Sequence, residues 1–518
     1  MNERRGSHGP RDGRSGRDQS PRRTGSQNQG NRNQGRGDQG RGDRDRVSRG
    51  GSQEARDGER SRGPRQRPVQ PARRVAFDVL RAVSASDAYA NLVLPSAIRD
   101  AGLSAQDAAL ATELTYGTLR RRGTYDAIIA AASERALEEI DAGVLDALRL
   151  GAHQLLRTRV APHAAVDESV TLAAGEAGRG AAGFANAVLR RIARRDADAW
   201  QASIEEAARS DDERLGLRTA HPVWIIRALR RALAAEGRDE ELESLLDADN
   251  VAPEVTLVAL PGLAEPDGAA RPYAPTAFGS PGGDPGAMVL ATGGRVRVQD
   301  EGSQLVALAL VAAQPVRTGE RWLDLCAGPG GKTALLAAEA LRDGAILEAN
   351  EVVPARAGLV RNALRAVPLD VPVTEEDGRE LAAARHGKYD RILVDAPCTG
   401  LGALRRRPEA RWRKSPADVP ELAALQEQLL AAALDALAPG GVVAYVTCSP
   451  HLAETVGVVE SVRRGRTDIT ELNSREVLQR VVRTPIELPA PLSGGGHAQL
   501  WPHRHGTDAM FLALLRKD

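Results

Sequence analysis

The 518-residue sequence predicts a chain of mixed class: an all-α bundle, then a small α+β module, then an α/β domain on a doubly wound, mostly parallel sheet. Three observations carry that prediction. Apolar residues recur at helical spacing, with no convincing strand, over residues 71–205. Short apolar runs alternate with helical stretches from about Gly302 onward. A glycine-rich turn in WLDLCAGPGGKT, residues 322–333, joins an apolar run to a helical one, as the first βα turn of such a sheet does.

Length and composition set the outer limits. At one domain per roughly 150 residues the chain should hold about three, and a hydrophobic fraction of 42% suffices to fold most of it. No apolar run approaches the roughly 18 residues of a membrane span, and MNERRGSHG lacks a signal-peptide core, so a cytoplasmic protein without membrane contact is expected. The three cysteines, Cys326, Cys398 and Cys448, form no CxxC pair, and no histidine stands at metal-ligand spacing. Neither disulfides nor a metal are expected. Cysteines this scarce are most often small buried hydrophobes, a reading that each site below has to outweigh. A monomer is expected.

The net charge of +1 is unevenly spread. Residues 1–70 hold 18 arginines, no lysine and nine carboxylates, whereas the remainder has 52 basic and 60 acidic residues. This Gly/Arg/Gln/Ser-rich tail has too few apolar residues to offset chain entropy and is expected to be disordered. Its RG repeats suit salt-sensitive contact with RNA phosphates or a solubilising role, and both readings stay open.

Order is expected from Pro71, with Val75, Val79 and Val83 on one helical face. Ser104 and Asp107 suggest an N-cap ahead of Leu110, Leu114 and Gly117. Val144, Leu148, Gly151 and Leu155 repeat the spacing, as do Val166 with Val170 and Phe184 with Val188 and Ile192, so 71–205 reads as a helical bundle. Residues 206–300 mix a helix around Trp224–Leu233 with strand-like VTLVAL, MVLA and VRVQ, which suggests a small α+β linker domain. From 301 to 518, WLDLC, AILEANE, PVTEED, YDRILVDAP, GVVAYVTCS and MFLALL read as strands between helices. Ligands of such sheets sit beyond the carboxyl ends of the strands.

The glycine loop fits neither common nucleotide template. A P-loop would need glycine where Cys326 stands, and Gly328-Pro329-Gly330-Gly331 is not the dinucleotide spacing. Small residues there admit close backbone approach, and the helix amino terminus favours a carboxylate, which matches a methyl donor with a methionine carboxylate and a ribose. Glu351 closes the next strand, where an acid would grip ribose hydroxyls, and Asp377 closes the third, on the side of the adenine amino group. Singly each acid reads as a loop residue; in sequence they point to a nucleoside.

DAPC (395–398) and TCS (447–449) put two of the three cysteines at strand tips on the ligand face. Carbon 5 of cytosine is too electron-poor to attack a methyl sulfonium. A thiolate added at carbon 6 makes it an enamine that can, so cysteines at the donor site point to cytosine-5 methylation.

The motifs CAGPGGKT, ILVDAPCTGLGALRRRPEARW and YVTCS, with VQDEGSQLVA ahead of them, resemble those of the RsmB/NOP family of RNA cytosine-5 methyltransferases. ATELTYGTLRR and VLDALRLGAHQLL resemble the NusB-type helical domain of its RsmB branch. The resemblance covers the chain from about residue 71. It implies a Rossmann-like class I methyltransferase domain and a NusB-like RNA-binding domain, with S-adenosyl-L-methionine as cofactor and 16S rRNA or a small-subunit precursor as partner. By motif position, Cys326, Ala327, Gly328, Pro329, Gly330, Gly331 and Lys332 would hold the methionine half of the donor, Glu351 the ribose and Asp377 the adenine side. Asp395 would lie between donor and base, Cys448 would be the nucleophile, and Cys398 would assist product release. Glu351, preceded by Asn350, departs from the family's usual Asp, which puts the length of the ribose contact in question.

Arg405, Arg406, Arg407, Arg411, Trp412, Arg413 and Lys414 form a basic segment with an aromatic after the fourth strand, suited to phosphates beside a flipped-out base or, alternatively, a solvated loop. The same clusters in the bundle, Arg120–Arg122 and Arg190–Arg195, are open to both readings. Two rivals remain: a tRNA cytosine-5 methyltransferase, and a non-catalytic RNA-binding or antitermination factor.

Overall fold

Ten helices come first in the computed structural model, which describes residues 68–86 and 88–518. Almost all of the Arg/Gly-rich tail, with its expected RNA or solubilising role, lies outside the described residues. The helices are α1 Pro71–Ser86, α2 Ala90–Asp100, α3 Ala105–Arg120, α4 Arg122–Ser133, α5 Ala142–Arg157, α6 Pro162–Ile192, α7 Ala197–Glu206, α8 Asp211–Thr219, α9 Val223–Ala234 and α10 Leu242–Ala248. Val75, Val79 and Val83 are all buried, and Ser104 caps α3 by accepting from the Asp107 amide at 3.2 Å, as the sequence predicts. A continuous apolar core runs from Ala72 to Ile204. Gly151 lets α5 lie against α6: a Cβ there would stand 2.6 Å from a Leu189 methyl.

A small antiparallel sheet follows, β1 Thr256–Ala259 between β2 Ala277–Gly279 and β3 Val296–Val298. MVLA, expected as a strand, lies instead in helix α11, Pro285–Ala291. Asp284 accepts from the Gly286 amide and Pro285 occupies the first turn, and these start signals outweigh the β-propensity of two or three apolar residues.

The remaining chain forms an eight-stranded sheet. Its strands are β4 Arg321–Asp324, β5 Ile346–Asn350, β6 Val373–Thr374, β7 Tyr389–Asp395, β8 Leu437–Thr447, β9 Ile469–Glu471, β10 Ala498–Gln499 and β11 Phe511–Lys517. The order is β10-β11-β8-β7-β4-β5-β6, with β9 also on β11. β4 to β8 pair in parallel, and β11 joins β8 antiparallel. Helices α12 Glu301–Ala312, α13 Gly331–Asp343, α14 Pro354–Leu364, α15 Gly378–Ala383 and α16 Asp418–Ala436 complete the βα units and cover both faces, over two apolar cores. The doubly wound α/β prediction holds. Chain order reverses between β4 and β7, and there the carboxyl ends open a crevice for ligand. No helix among the described residues is long and apolar enough to cross a membrane.

Helices α9 and α10 share a core with Leu401, Leu404 and Ala410 from the loop after β7 and with Trp501 and Ala509. The helical half is thereby packed onto the very loop that carries DAPC.

Candidate active site

The loop between β4 and α13 is held from within. Thr333 places its hydroxyl 2.7 Å from Asp324 Oδ2, and the Gly328 amide donates to Glu351 Oε2 at 3.0 Å. A Cβ on Gly328 would come within 2.1 Å of that carboxylate, and Gly330 has φ +102° with its Cβ direction filled by Ala363 at 2.7 Å. Both positions therefore require glycine. Asn350, the neighbour of Glu351, donates to the carbonyls of Leu325 (3.2 Å) and Glu376 (3.0 Å) and so ties the ends of β4 and β5 to the loop after β6.

The expected acids are placed differently from one another. Glu351 is buried and also accepts from the Val353 amide, so both its oxygens are already engaged by backbone. Asp377 does not end its strand: β6 stops at Thr374, and Asp377 caps α15 while Arg379 grips its carboxylate. Those hydrogen bonds pull its pKa down to about 2. Asp395, the last residue of β7, accepts from Lys332 Nζ at 2.8 Å and links the glycine loop to the cysteine loops. Burial works against the Lys332 charge, but Asp395 outweighs it and holds the ammonium above its ordinary range.

Register brings the cysteines together. β7 and β8 are parallel neighbours with Asp395 opposite Val446, so the turns that leave them meet, and Cys398 Sγ lies 3.4 Å from Cys448 Sγ. The loop after Cys398 docks on Cys448 through Gly402, whose amide donates to the Cys448 carbonyl at 2.8 Å; a Cβ on Gly402 would strike the Ala509 carbonyl at 2.1 Å. The thiols are inequivalent. Hydrogen bonding from Cys398 lowers the pKa of Cys448 despite burial, with Arg407 and Lys332 helping, whereas the same bond and burial push Cys398 up. Cys326 is also pushed up, first by burial and then by Asp324.

Beneath the pair is a carboxylate that the sequence did not disclose. Glu454 is fully buried; its Oε1 accepts from the Thr399 amide at 2.7 Å, and its Oε2 accepts from the Ser449 hydroxyl at 2.6 Å and from the Thr399 hydroxyl. Gln426 donates to the Pro397 carbonyl at 2.7 Å and to Glu454 at 3.3 Å. One side chain thus cross-braces the residue after each cysteine. No local pattern marks Glu454, since the groups that need it lie on two loops.

Comparison with known proteins follows the same division of the chain. The family model described as 16S rRNA methyltransferase RsmB/F matches residues 311–516, and the NusB family model matches residues 70–194. A Mycobacterium tuberculosis protein named as a methyltransferase, Rv1407, is 52% identical over 467 residues, 88% of this chain and 99% of its own. The ribosomal RNA small subunit methyltransferase B of Erwinia tasmaniensis is 31% identical over 448 residues, 82% and 94% of the two chains. The chain belongs to the RsmB/F methyltransferase family. The crystal structure of PH0851 is similar in fold, with a TM-score of 0.72 at 20% identity, over 87% of this chain and 100% of that one.

The crevice of this RsmB/F chain fits a methyl donor. Asp324 Oδ1 and Gln299 Oε1 are buried acceptors without a partner among the described residues, and both border the loop, Gln299 standing 3.8 Å from the Cβ direction of Gly331. Acceptors in that condition suit an ammonium donor such as the amino group of a methionine. Burial, opposed by the Thr333 bond, raises Asp324 to a pKa of about 7.

The basic segment requires a correction. Arg411 is fully buried and donates to the carbonyls of Arg120 (2.8 Å) and Asp249 (2.9 Å) and to Asn250 Oδ1 (2.9 Å). Arg405 is buried against the Gly506 carbonyl, and Arg406 forms a bidentate pair with Asp508. Trp412 packs under Gly123 and Arg122, and Arg413 lies over Tyr89 at 4.5 Å. Arg411, Trp412 and Arg413 clasp the helical half to this loop, while Gly506 and Asp508 hold Arg405 and Arg406 within the sheet domain, and no local reading can foresee these partners. Arg407 lies over the Tyr89 ring at 5.3 Å, and neither it nor Lys414 forms a salt bridge within 4 Å among the described residues.

Proposed function

We propose that the chain transfers a methyl group from S-adenosyl-L-methionine to carbon 5 of one cytosine in 16S rRNA, through a covalent Cys448–cytosine intermediate. The observation that carries this reading is the pair of inequivalent thiols 3.4 Å apart beside the Lys332–Asp395 bridge. Amino-group or hydroxyl methylation has no use for two cysteines there. The name of the Erwinia relative supports small-subunit rRNA as substrate, and the NusB match supports an RNA-binding role for residues 71–205, with 206–300 joining them to the methyltransferase domain at 301–518.

The donor supplies an electrophilic methyl sulfonium. At the loop from Cys326 to Lys332, Asp324 and Gln299 would take its ammonium and the Gly331 and Lys332 amides at the start of α13 its carboxylate, with Glu351 at its ribose and Asp377 reaching the adenine only by sharing its carboxylate with Arg379. Asp395 would orient the cytosine. Cys448, favoured as thiolate by the Cys398 S–H and by Arg407 and Lys332, adds to carbon 6 and makes carbon 5 the nucleophile. Carbon 5 takes the methyl group, a base removes its proton, and the carbon 6–sulfur bond breaks, returning its electron pair to Cys448. Cys398, held protonated in contact with that sulfur, is placed to receive and stabilise the departing thiolate.

Bisulfite mapping of RNA from cells with and without the gene tests the reading. Loss of one protected cytosine in 16S rRNA is expected. Loss in tRNA instead would move the substrate, and no loss in any RNA would overturn the reaction.

A further inference from the structure

A groove of about 680 Å³ opens between α9 and the start of α16, with the residues that follow Cys448 and Ser449 as its floor. That volume is in the roughly 300–1,000 Å³ range of ligand clefts. Trp224, Arg227 and Arg231 line one wall, Pro416 and Val419 the other, and His451 lies at the base. No carboxylate is among the described residues that line it.

The charge balance of this wall is positive on a body whose residues beyond 70 carry more acids than bases. Among the described residues Asp212 is the one carboxylate paired with Arg227 (2.8 Å) and Arg230 (2.7 Å), and the Arg227 side chain remains 59% exposed. Arg231 is exposed and has no carboxylate partner among the described residues. His451 is held below its ordinary pKa, chiefly by burial, so it presents a neutral ring beside two cations. A half-buried indole flanked by guanidiniums is the chemistry that holds an unpaired base by its face and its backbone by charge.

Resting on the RNA-methylation reading, we infer that this groove holds the single-stranded RNA next to the target cytosine, with a base on Trp224 and phosphates on Arg231 and Arg227. A duplex does not meet the same need. A target base must leave its stack to reach Cys448, and its neighbours are then splayed, whereas an A-form helix hides its base faces. The floor at His451–Ala453 is continuous with the cysteine loop, so RNA leaving the cysteines has this groove as its neighbouring channel.

The test uses the full chain and a fluorescein-labelled oligo-uridine dodecamer with one central cytosine, read by anisotropy over a salt series. Arg231→Glu, at an exposed position, should weaken binding and lower the slope of log affinity on log salt by about one or more. Trp224→Leu, which keeps apolar bulk in the core, should weaken binding about five-fold to a hundred-fold, as loss of one stacking platform does. Both variants should melt like the wild type and bind donor normally. Wild-type affinity and salt slope in a normally melting Arg231→Glu chain would overturn the groove, as would equal competition by duplex RNA. Wild-type protein that methylates 16S rRNA while the groove variants bind unchanged would sink this inference alone; wild-type protein that methylates no RNA would sink the reading beneath it.

Discussion

Cys398 Sγ and Cys448 Sγ are 3.4 Å apart although fifty residues separate them in the chain, and the contact makes one sulfur the donor and the other the acceptor. Cys448→Ala should therefore reduce 5-methylcytosine formation to background. Cys398→Ala, which keeps Arg407 and Lys332 beside Cys448, should still form the adduct, more slowly, but should slow its resolution roughly a hundred-fold or more, the range for loss of one proton-transfer partner, so that a protein–RNA adduct persists on a denaturing gel. An adduct in Cys448→Ala and none in Cys398→Ala would reverse the assignment.

Glu454 should matter although it touches no reacting atom. Glu454→Ala strips the acceptor from the Thr399 amide, the Thr399 and Ser449 hydroxyls and Gln426. Each buried donor left unpaired costs about 1–3 kcal/mol. Turnover should fall while donor affinity is kept, because the braced loops carry the cysteines and not the glycine turn. Glu454→Gln, which retains one acceptor for the Thr399 amide, should recover part of both losses. Equal melting and equal turnover in all three proteins would contradict the brace.

Asp324 gives a pH dependence with a definite sign. Burial raises its folded pKa to about 7, so between the ordinary carboxylate range and pH 7 the folded chain keeps a proton that the unfolded chain has released. Its contribution to stability is greatest below about pH 4 and falls as pH rises to 7. An ammonium bound beside it favours the ionised form, so donor binding should release a proton below pH 7 and tighten with pH up to about 7. Titration calorimetry of S-adenosyl-L-methionine in two buffers of unlike ionisation heat would detect the proton. Affinity flat between pH 5 and 8 in the wild type, or the same dependence in Asp324→Asn, would rule this out.

Arg411 tests the clasp. Its removal deprives Asp249, fully buried and raised by burial to a pKa of about 7, of the cation that most opposes that rise, and strips the donor from the Arg120 and Asp249 carbonyls. Arg411→Met should cost about 3–5 kcal/mol of stability, as breaking a buried charged contact does, and should leave the salt slope of RNA binding unchanged. A changed slope with unchanged melting would restore a phosphate contact.

Much of this molecule was written locally. Strand alternation and helical spacing made the sheet, its parallel order and the bundle legible, because each element buries a face whose period is visible in a short window. The Cys326–Thr333 turn was legible because only glycine tolerates the approach of Glu351 to Gly328 or the φ of Gly330. MVLA was misjudged because a cap and a proline decide a short apolar run more strongly than its composition.

The amino-acid order alone therefore specifies the elements and the chemistry of the residues at their tips, a donor loop and two thiols. How those residues are used depends on packing between distant parts of the chain. Parallel register between β7 and β8 set the two sulfurs in contact, Glu454 braced them from beneath, and Asp508 together with the distant carbonyls of Arg120 and Asp249 buried most of a basic segment, Arg411 among it as a clasp to the helical half. The physical reason is range. Backbone geometry and hydrophobic period act over a few residues, whereas the partner of a buried charge is fixed by packing and stands 161 residues away for Arg411 and Asn250.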